Sequence, residues 1–118
     1  MMDFINEVYN TLTIGKLPVT YIIRHAKSIP SISYHFFGEV TTLFGDGKPR
    51  RAEIKCQVDL WTRDGQDAEY IHPIRMAMKK AGWRPSKPDE DNYQEPDTGL
   101  YHRVFIFRKE YHVEEDDS

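Results

Sequence analysis

The stretch RAEIKCQVDLWTRDG, residues 51–65, alternates apolar and polar side chains for ten residues without a break. Side chains along a β-strand point to opposite faces in turn, so the pattern predicts a strand with one buried face and one polar face. The buried face carries Ala52, Ile54, Cys56, Val58 and Leu60, and the polar face carries Glu53, Lys55, Gln57, Asp59 and Trp61. Such a strand belongs to a sheet that has a core on one side. The alternation does not indicate the function of the polar side.

The N-terminal half predicts a helix followed by strands. Residues 3–14 place apolar side chains on one helical stripe, and Gly15 follows as a stop signal. Residues 17–24 and 33–44 are rich in strand-forming residues, and Gly38 predicts a bend or bulge in the second of them. Residues 26–33 are typical of a loop. The glycine-rich turn at 45–49 then predicts a hairpin with the alternating strand.

The C-terminal half predicts a second helix and a last strand. Residues 66–82 have helical periodicity, with Asp64 as a possible cap, Gly82 as the stop, and Pro73 as either a kink or the actual start. The polar, proline-rich residues 84–96 are typical of a loop, and residues 98–113 predict a strand. The order α-β-β-β-α-β predicts an α+β fold: a small antiparallel sheet of about four strands with two helices on one face. It would form one domain over residues 1–113, followed by an acidic disordered tail at 114–118.

Composition restricts the function classes. The chain of 118 residues has a formal charge of -3, which gives no overall attraction to nucleic acid, and it has one cysteine. A single cysteine excludes an internal disulfide and argues against a structural zinc site, so Cys56 is interpreted as a buried apolar residue. No apolar run is typical of a signal peptide or a membrane span, so we expect a cytoplasmic protein with no membrane partner.

The polar face could hold a metal-dependent nuclease site. Glu53 and Lys55, with Asp46 upstream, have the residue types and order of an Asp…Glu-x-Lys magnesium site. An exposed strand face with alternating charges is the more ordinary interpretation. The five histidines have no metal-binding spacing, and His102 alternates with Leu100 and Val104, which predicts a packed, hydrogen-bonded side chain. We expect no cofactor and no metal, and the nuclease site of Asp46, Glu53 and Lys55 stays an alternative to the ordinary interpretation.

Several residues are candidates for contacts with a partner. Large aromatic side chains near a polar strand face are either covered by another element or kept for a partner, which leaves a peptide-binding adaptor as an alternative. The basic turn GKPRR is more typical of a solvated loop than of a phosphate site. The interface candidates are Lys48, Arg50, Arg51, Trp61, Trp83, Tyr93, Asp97 and Tyr101.

Three motifs in order, VDLWTRDG, DAEYIHPIRMAMKKAGW and YQEPDTGLYHRVFIF, resemble the tail completion or tail terminator proteins of long-tailed bacteriophages and prophages. The resemblance covers most of the chain. Two features depart from the family: Pro73 lies in the central helix, and the GDGKPRR turn is basic. The positions that match are Val58, Asp59, Leu60, Trp61, Met78, Gly82, Trp83, Tyr93, Glu95, Asp97, Thr98, Leu100, Tyr101, His102 and Arg103.

The resemblance implies a structural role in the virion, with no catalysis and no catalytic residue. Proteins of this family form a ring, expected to be a homohexamer, that caps the tail tube and takes part in head–tail joining. The implied partners are other copies of the chain, the tail tube protein and the head connector or head completion protein, and DNA only passes through the lumen. The implied location is the tail or neck of the virion, after assembly in the host cytoplasm. The polar face and the loops at 45–50 and 84–96 would then serve assembly, and charge reversal at Arg50 and Arg51 would weaken assembly more than folding.

Overall fold

The computed structural model describes residues 2–15, 17–23, 29–63, 65–94 and 99–113. These form α1 (Met2–Leu12), β1 (Val19–Tyr21), β2 (Ser31–Gly45), β3 (Lys48–Thr62), α2 (Ala68–Lys80), β4 (Arg84–Gln94) and β5 (Tyr101–His112). The fold is α+β, as predicted. The sheet has five strands in the order β1-β2-β3-β5-β4.

Strands β2 and β3 form the predicted hairpin, which is longer at both ends than the sequence indicates. β2 already begins at Ser31, inside the segment predicted as a loop, and the two-residue turn is Asp46–Gly47. The pairing slips between Phe37 and Val40, and Gly38 there has φ +63°. The predicted irregularity at Gly38 is therefore a β-bulge, where glycine adopts a backbone conformation that other residues rarely take.

Two predictions about the sheet are wrong. The segment 84–96 is not a loop over its described part, because Arg84–Gln94 is strand β4 and pairs antiparallel with β5. The sheet is not wholly antiparallel, because β1 runs parallel to β2, with Val19 opposite Ile32 and Tyr21 opposite Tyr34. Two sequence assignments, the Asp64 cap and the acidic tail at 114–118, lie outside the described residues.

The core lies between the two helices and one face of the sheet, which we call the helix face. The apolar side of β3 is wholly buried, as its alternation predicts, and Cys56 is a buried free cysteine. Val8 and Leu12 of α1 and Ile74 and Met78 of α2 belong to the same buried cluster, so both helices cover one face. The opposite side, the second face, carries the polar side chains of β3.

Helix α2 begins at Ala68, so Pro73 lies inside it and does not start it. At its other end the amide of Gly82 donates to Lys79 O and the amide of Trp83 donates to Met78 O, at 3.0 Å each. This pair of bonds is a Schellman motif, and Gly82, at φ +94°, is its left-handed residue. The predicted stop at Gly82 is confirmed. In the part of the chain described, no helix has the length and apolar character needed to cross a membrane.

Candidate functional site

Two of the motif stretches meet in space. In the antiparallel register of β3 and β5, Leu60 lies opposite Arg103 and Trp61 lies opposite His102. VDLW and LYHR, some forty residues apart in sequence, thus form neighbouring strand segments at one end of the sheet. The alternation of β3 divides the motif between the two faces: Val58 and Leu60 enter the core, whereas Asp59 and Trp61 lie on the second face.

Asp59, Trp61 and His102, with Ser33 and Gln57, form a connected polar cluster on the second face. The Asp59 carboxylate lies 2.7 Å from Nε2 of His102 and accepts a 2.9 Å bond from Nε2 of Gln57. The indole of Trp61 stacks on the imidazole, with 3.8 Å between ring centroids and 11° between ring planes. Indole Nε1 donates to Ser33 Oγ at 3.1 Å. The cluster thereby connects β2, β3 and β5.

The cluster is buried although it lies on the polar face. Asp59 is 6% exposed and His102 is 8% exposed. A buried carboxylate costs free energy unless hydrogen bonds replace its water, and here two donors reach the same oxygen. The predicted packed, hydrogen-bonded His102 is confirmed. The cluster holds three strands in register. Its hydroxyl group belongs to Ser33 and accepts a hydrogen bond from the indole of Trp61.

The aromatic interface candidates lie in different surroundings. Trp83 is 1% exposed and packs in the core against Phe4 and Phe36, so its side chain is not at the surface. Tyr101 is half-buried at the start of β5, opposite Thr62. The backbone of Tyr93 pairs with that of His102, next to the polar cluster. Asp97 and Thr98 lie outside the described residues.

The three residues of the nuclease hypothesis do not come together. Asp46 lies in the hairpin turn beside Arg50, at 3.6 Å between carboxylate and guanidinium. Glu53 lies five residues beyond the start of β3, roughly 16 Å along the strand at ~3.3 Å per residue. Glu53 instead faces Arg108, at 3.5 Å. Within the ranges described, no group of three or more His, Cys, Asp or Glu side chains is placed to hold a metal ion.

The charges of the second face pair diagonally between β3 and β5. Arg51 Nη1 lies 2.8 Å from Glu110 Oε1, and Thr42 donates to the other oxygen of Glu110 at 2.9 Å. These hydrogen bonds, from Thr42 and then Arg51, lower the pKa of Glu110 below its usual range. Arg51 and Glu53 of β3 thus pair with the opposite charges of Glu110 and Arg108 on β5, so both side chains have a structural role in the sheet.

The hairpin extends beyond the helices as an arm, residues 37–51. The molecule measures 53 × 25 × 25 Å. The arm carries the candidates Lys48, Arg50 and Arg51 near its turn, and Nε of Arg50 donates to Gly45 O at 3.2 Å. Residues 45–50 thus contain the predicted hairpin turn, at Asp46–Gly47, and the strand ends on either side of it.

The arm also carries apolar residues that the sequence analysis does not select. Phe37, Val40, Leu43 and Phe44 are exposed by 38%, 54%, 51% and 64%. The sequence feature that could have indicated their exposure is the stretch FFGEVTTLFG, where apolar side chains occur at both odd and even positions. One face of a regular strand cannot bury them all. The sequence analysis also does not identify Ser33 and Gln57 as members of the polar cluster, because their hydrogen bonds depend on the register between strands.

The chain matches no known protein-family model, and no curated protein is significantly similar to it.

Proposed function

We propose that the chain is a structural subunit of a long-tailed bacteriophage or prophage, which caps the tail tube and takes part in head–tail joining. It would act as a ring of identical subunits, expected to be a hexamer, and without catalysis. The observation that supports this best is the convergence of two motif stretches on the polar cluster of Asp59, Trp61 and His102. The proposal rests on the resemblance, and two of the motif stretches that carry it form one connected unit in the fold.

The chemistry of the polar cluster favours a structural role. Its carboxylate, imidazole, indole and hydroxyl groups bond to one another across three strands. Such a network specifies register and rigidity, because every member loses a partner if one strand slips. The thiol of Cys56 lies on the opposite, helix face, where burial raises its pKa, so it is a poor nucleophile.

The shape of the molecule also supports assembly into a ring. A cyclic ring is built from head-to-tail contacts, so each subunit needs two different surfaces. The exposed arm lies at the end of a 53 Å long molecule and presents apolar residues that its own helices do not cover. An exposed apolar patch of this kind is typical of an interaction surface.

The test is deletion of the gene in its phage or prophage, followed by electron microscopy of the induced lysate. Filled heads beside overlong, unattached tails are expected for a tail terminator. Filled heads beside tails of normal length would indicate a joining protein that acts after termination. Normal infectious particles would contradict the proposal. A plasmid copy of the gene must restore the particles, which controls for effects on neighbouring genes.

A second assay separates the proposal from the nuclease alternative. The purified chain is incubated with supercoiled plasmid and Mg²⁺, and Glu53→Ala is tested in parallel. We expect no cleavage by either protein. Cleavage that Glu53→Ala abolishes would favour the nuclease, whereas cleavage that survives the substitution would indicate a contaminant.

A further inference from the structure

The outer edge of β2 in the arm is open. β1 pairs with β2 only at residues 32–34, and one further amide, that of Ile22, donates to Tyr34 O. From His35 to Gly45, no strand among the described residues pairs with this edge. Its outward amides and carbonyls are therefore available to a further strand.

The open edge lacks most of the features that keep strands from pairing with other chains. Residues 35–45, HFFGEVTTLFG, contain neither proline nor lysine and only one charged residue, Glu39, which accepts a hydrogen bond from Tyr111. Three register shifts, between Phe37 and Val40, Thr41 and Leu43, and Leu43 and Phe44, are the main protective feature of this edge. The segment carries a single formal charge, so burying it against another strand would leave few charges without water.

The exposed side chains of the arm supply apolar area for such a contact. At ~150–250 Å² for a large aromatic side chain, the uncovered parts of Phe37, Val40, Leu43 and Phe44 amount to roughly 300–400 Å². That is about half of the ~800 Å² that each partner contributes to a standard interface. Beside the arm, a groove of about 390 Å³ whose lining includes Val40, Pro49 and Tyr111 could take side chains of the neighbour.

Two of the three basic side chains near the turn (Lys48, Arg50 and Arg51) are already paired, which argues against a polyanion as the occupant. Arg50 is engaged by Gly45 O and Asp46, and Arg51 by Glu110. Phosphate contacts need basic side chains that are free to exchange their counterions. The arm therefore fits a strand better than it fits nucleic acid.

We propose that the open edge of β2 in the arm pairs with the outer edge of β4 in a second copy of this chain. Among the described residues, β4 pairs with β5 alone, and its regular run is Glu90–Gln94, beyond an irregularity that begins at Pro85, so the outer edge of this run is also open. β4 runs opposite to β2, because β2, β3, β5 and β4 are antiparallel in turn. A second copy added in the same orientation thus forms an antiparallel pair, and repetition of the contact uses both edges of every subunit. The closure of these contacts into a ring rests on the proposed function.

The experiment measures self-association of the purified chain by sedimentation velocity over a concentration series. Leu43→Lys with Phe44→Lys adds charge to the edge at exposed positions, and Met76→Lys is the control at an exposed apolar position of α2. We expect concentration-dependent association beyond a dimer, weakened at least tenfold by the arm variant and unchanged in the control. A wild-type chain that stays monomeric, or an arm variant that associates equally well, would overturn the inference.

Hydrogen–deuterium exchange of the wild-type chain at low and high concentration identifies the edges. Slower exchange in peptides covering both β2 and β4 at high concentration is expected. Protection of β2 alone would mean a two-fold contact between arms and would overturn the pairing with β4. The assay is independent of the phage deletion. Association through both edges together with normal particles from the deletion would contradict the proposed function alone. Defective particles from the deletion together with a chain that never associates would contradict this inference alone.

Discussion

Nε2 of His102 and the Asp59 carboxylate lie 2.7 Å apart in a buried part of the second face, although 43 positions separate them in the chain. A carboxylate can only accept, so the imidazole donates, and Gln57 donates to the same oxygen. The contact joins β3 to β5, which are neighbours in the sheet but not in the chain. It is therefore a tertiary contact that both stabilises the fold and selects its register.

Asp59→Asn is expected to lower the free energy of unfolding by about 1–3 kcal/mol, because charged hydrogen bonds to two buried donors are replaced by neutral ones. Urea unfolding followed by circular dichroism measures the change. Asp46→Asn is the matched control at a side chain 94% exposed in the turn, and it is expected to change stability by less than ~0.5 kcal/mol. Equal losses in the two variants would contradict a structural role for the polar cluster.

Gly82→Ala is expected to destabilise the chain by about 1–2 kcal/mol, because alanine is strained at φ +94°. The added methyl would also lie 3.3 Å from Cε of Lys109. Nζ of that lysine is fixed by bonds of 2.8 Å to Ala81 O and to Glu7. Thermal or urea unfolding measures the loss.

Gly15→Ala is the control for Gly82→Ala, since nothing lies within 4 Å of its added methyl. Its stability is expected to stay within ~0.5 kcal/mol of the parent. If Gly82→Ala were equally neutral, the Schellman ending of α2 would not be a requirement of the fold.

The sequence predicts the elements whose pattern matches a buried face. The alternation from Ala52 to Leu60 is unbroken and becomes the central strand, because period 2 is the signal of a strand with one side in a core. Gly38 and Gly82 are predicted correctly as a bulge and a stop, since only glycine readily takes positive φ. These signals are local and need no knowledge of the tertiary fold.

The sequence does not predict β4 or the pairing of Asp59 with His102. The segment RPSKPDEDNYQ has the prolines and charges of a loop, but an edge strand needs only main-chain bonds on one side, and β5 provides them. The contact between Asp59 and His102 exists because β5 inserts between β3 and β4. Strand order of this kind depends on long-range contacts that periodicity does not encode.

Alkaline pH is expected to destabilise the chain through Tyr34. Burial raises the pKa of this phenol from 10.0 to about 12, and its hydroxyl donates to Ile5 O at 2.7 Å. Below pH ~10 the phenol is protonated in both states, and its contribution to stability is fully present. Between about pH 10 and 12 it ionises first in the unfolded chain, so this stability is lost as pH rises.

The measurement is urea unfolding of the wild-type chain and Tyr34→Phe from about pH 8 to 11. The wild-type chain is expected to be the more stable by about 1 kcal/mol at the lower pH, because it keeps the hydrogen bond. This advantage should shrink above pH ~10, since only the wild-type side chain titrates there. A constant difference across the series would show that Tyr34 ionises equally in both states.

Charge reversal of Arg50 and Arg51 to glutamate is expected to impair assembly more than folding. Both side chains are 38% exposed, and exposed ion pairs such as that of Arg51 with Glu110 contribute little to stability, so a small loss of stability is expected. If the arm is an assembly surface, two reversed charges beside Phe44 would oppose docking of the next subunit at every contact of the ring.

Complementation of the deletion by the double variant should therefore leave heads and tails unjoined, whereas Arg50→Lys with Arg51→Lys should restore particles. Normal head–tail joining by the glutamate variant would contradict the role assigned to these arginines.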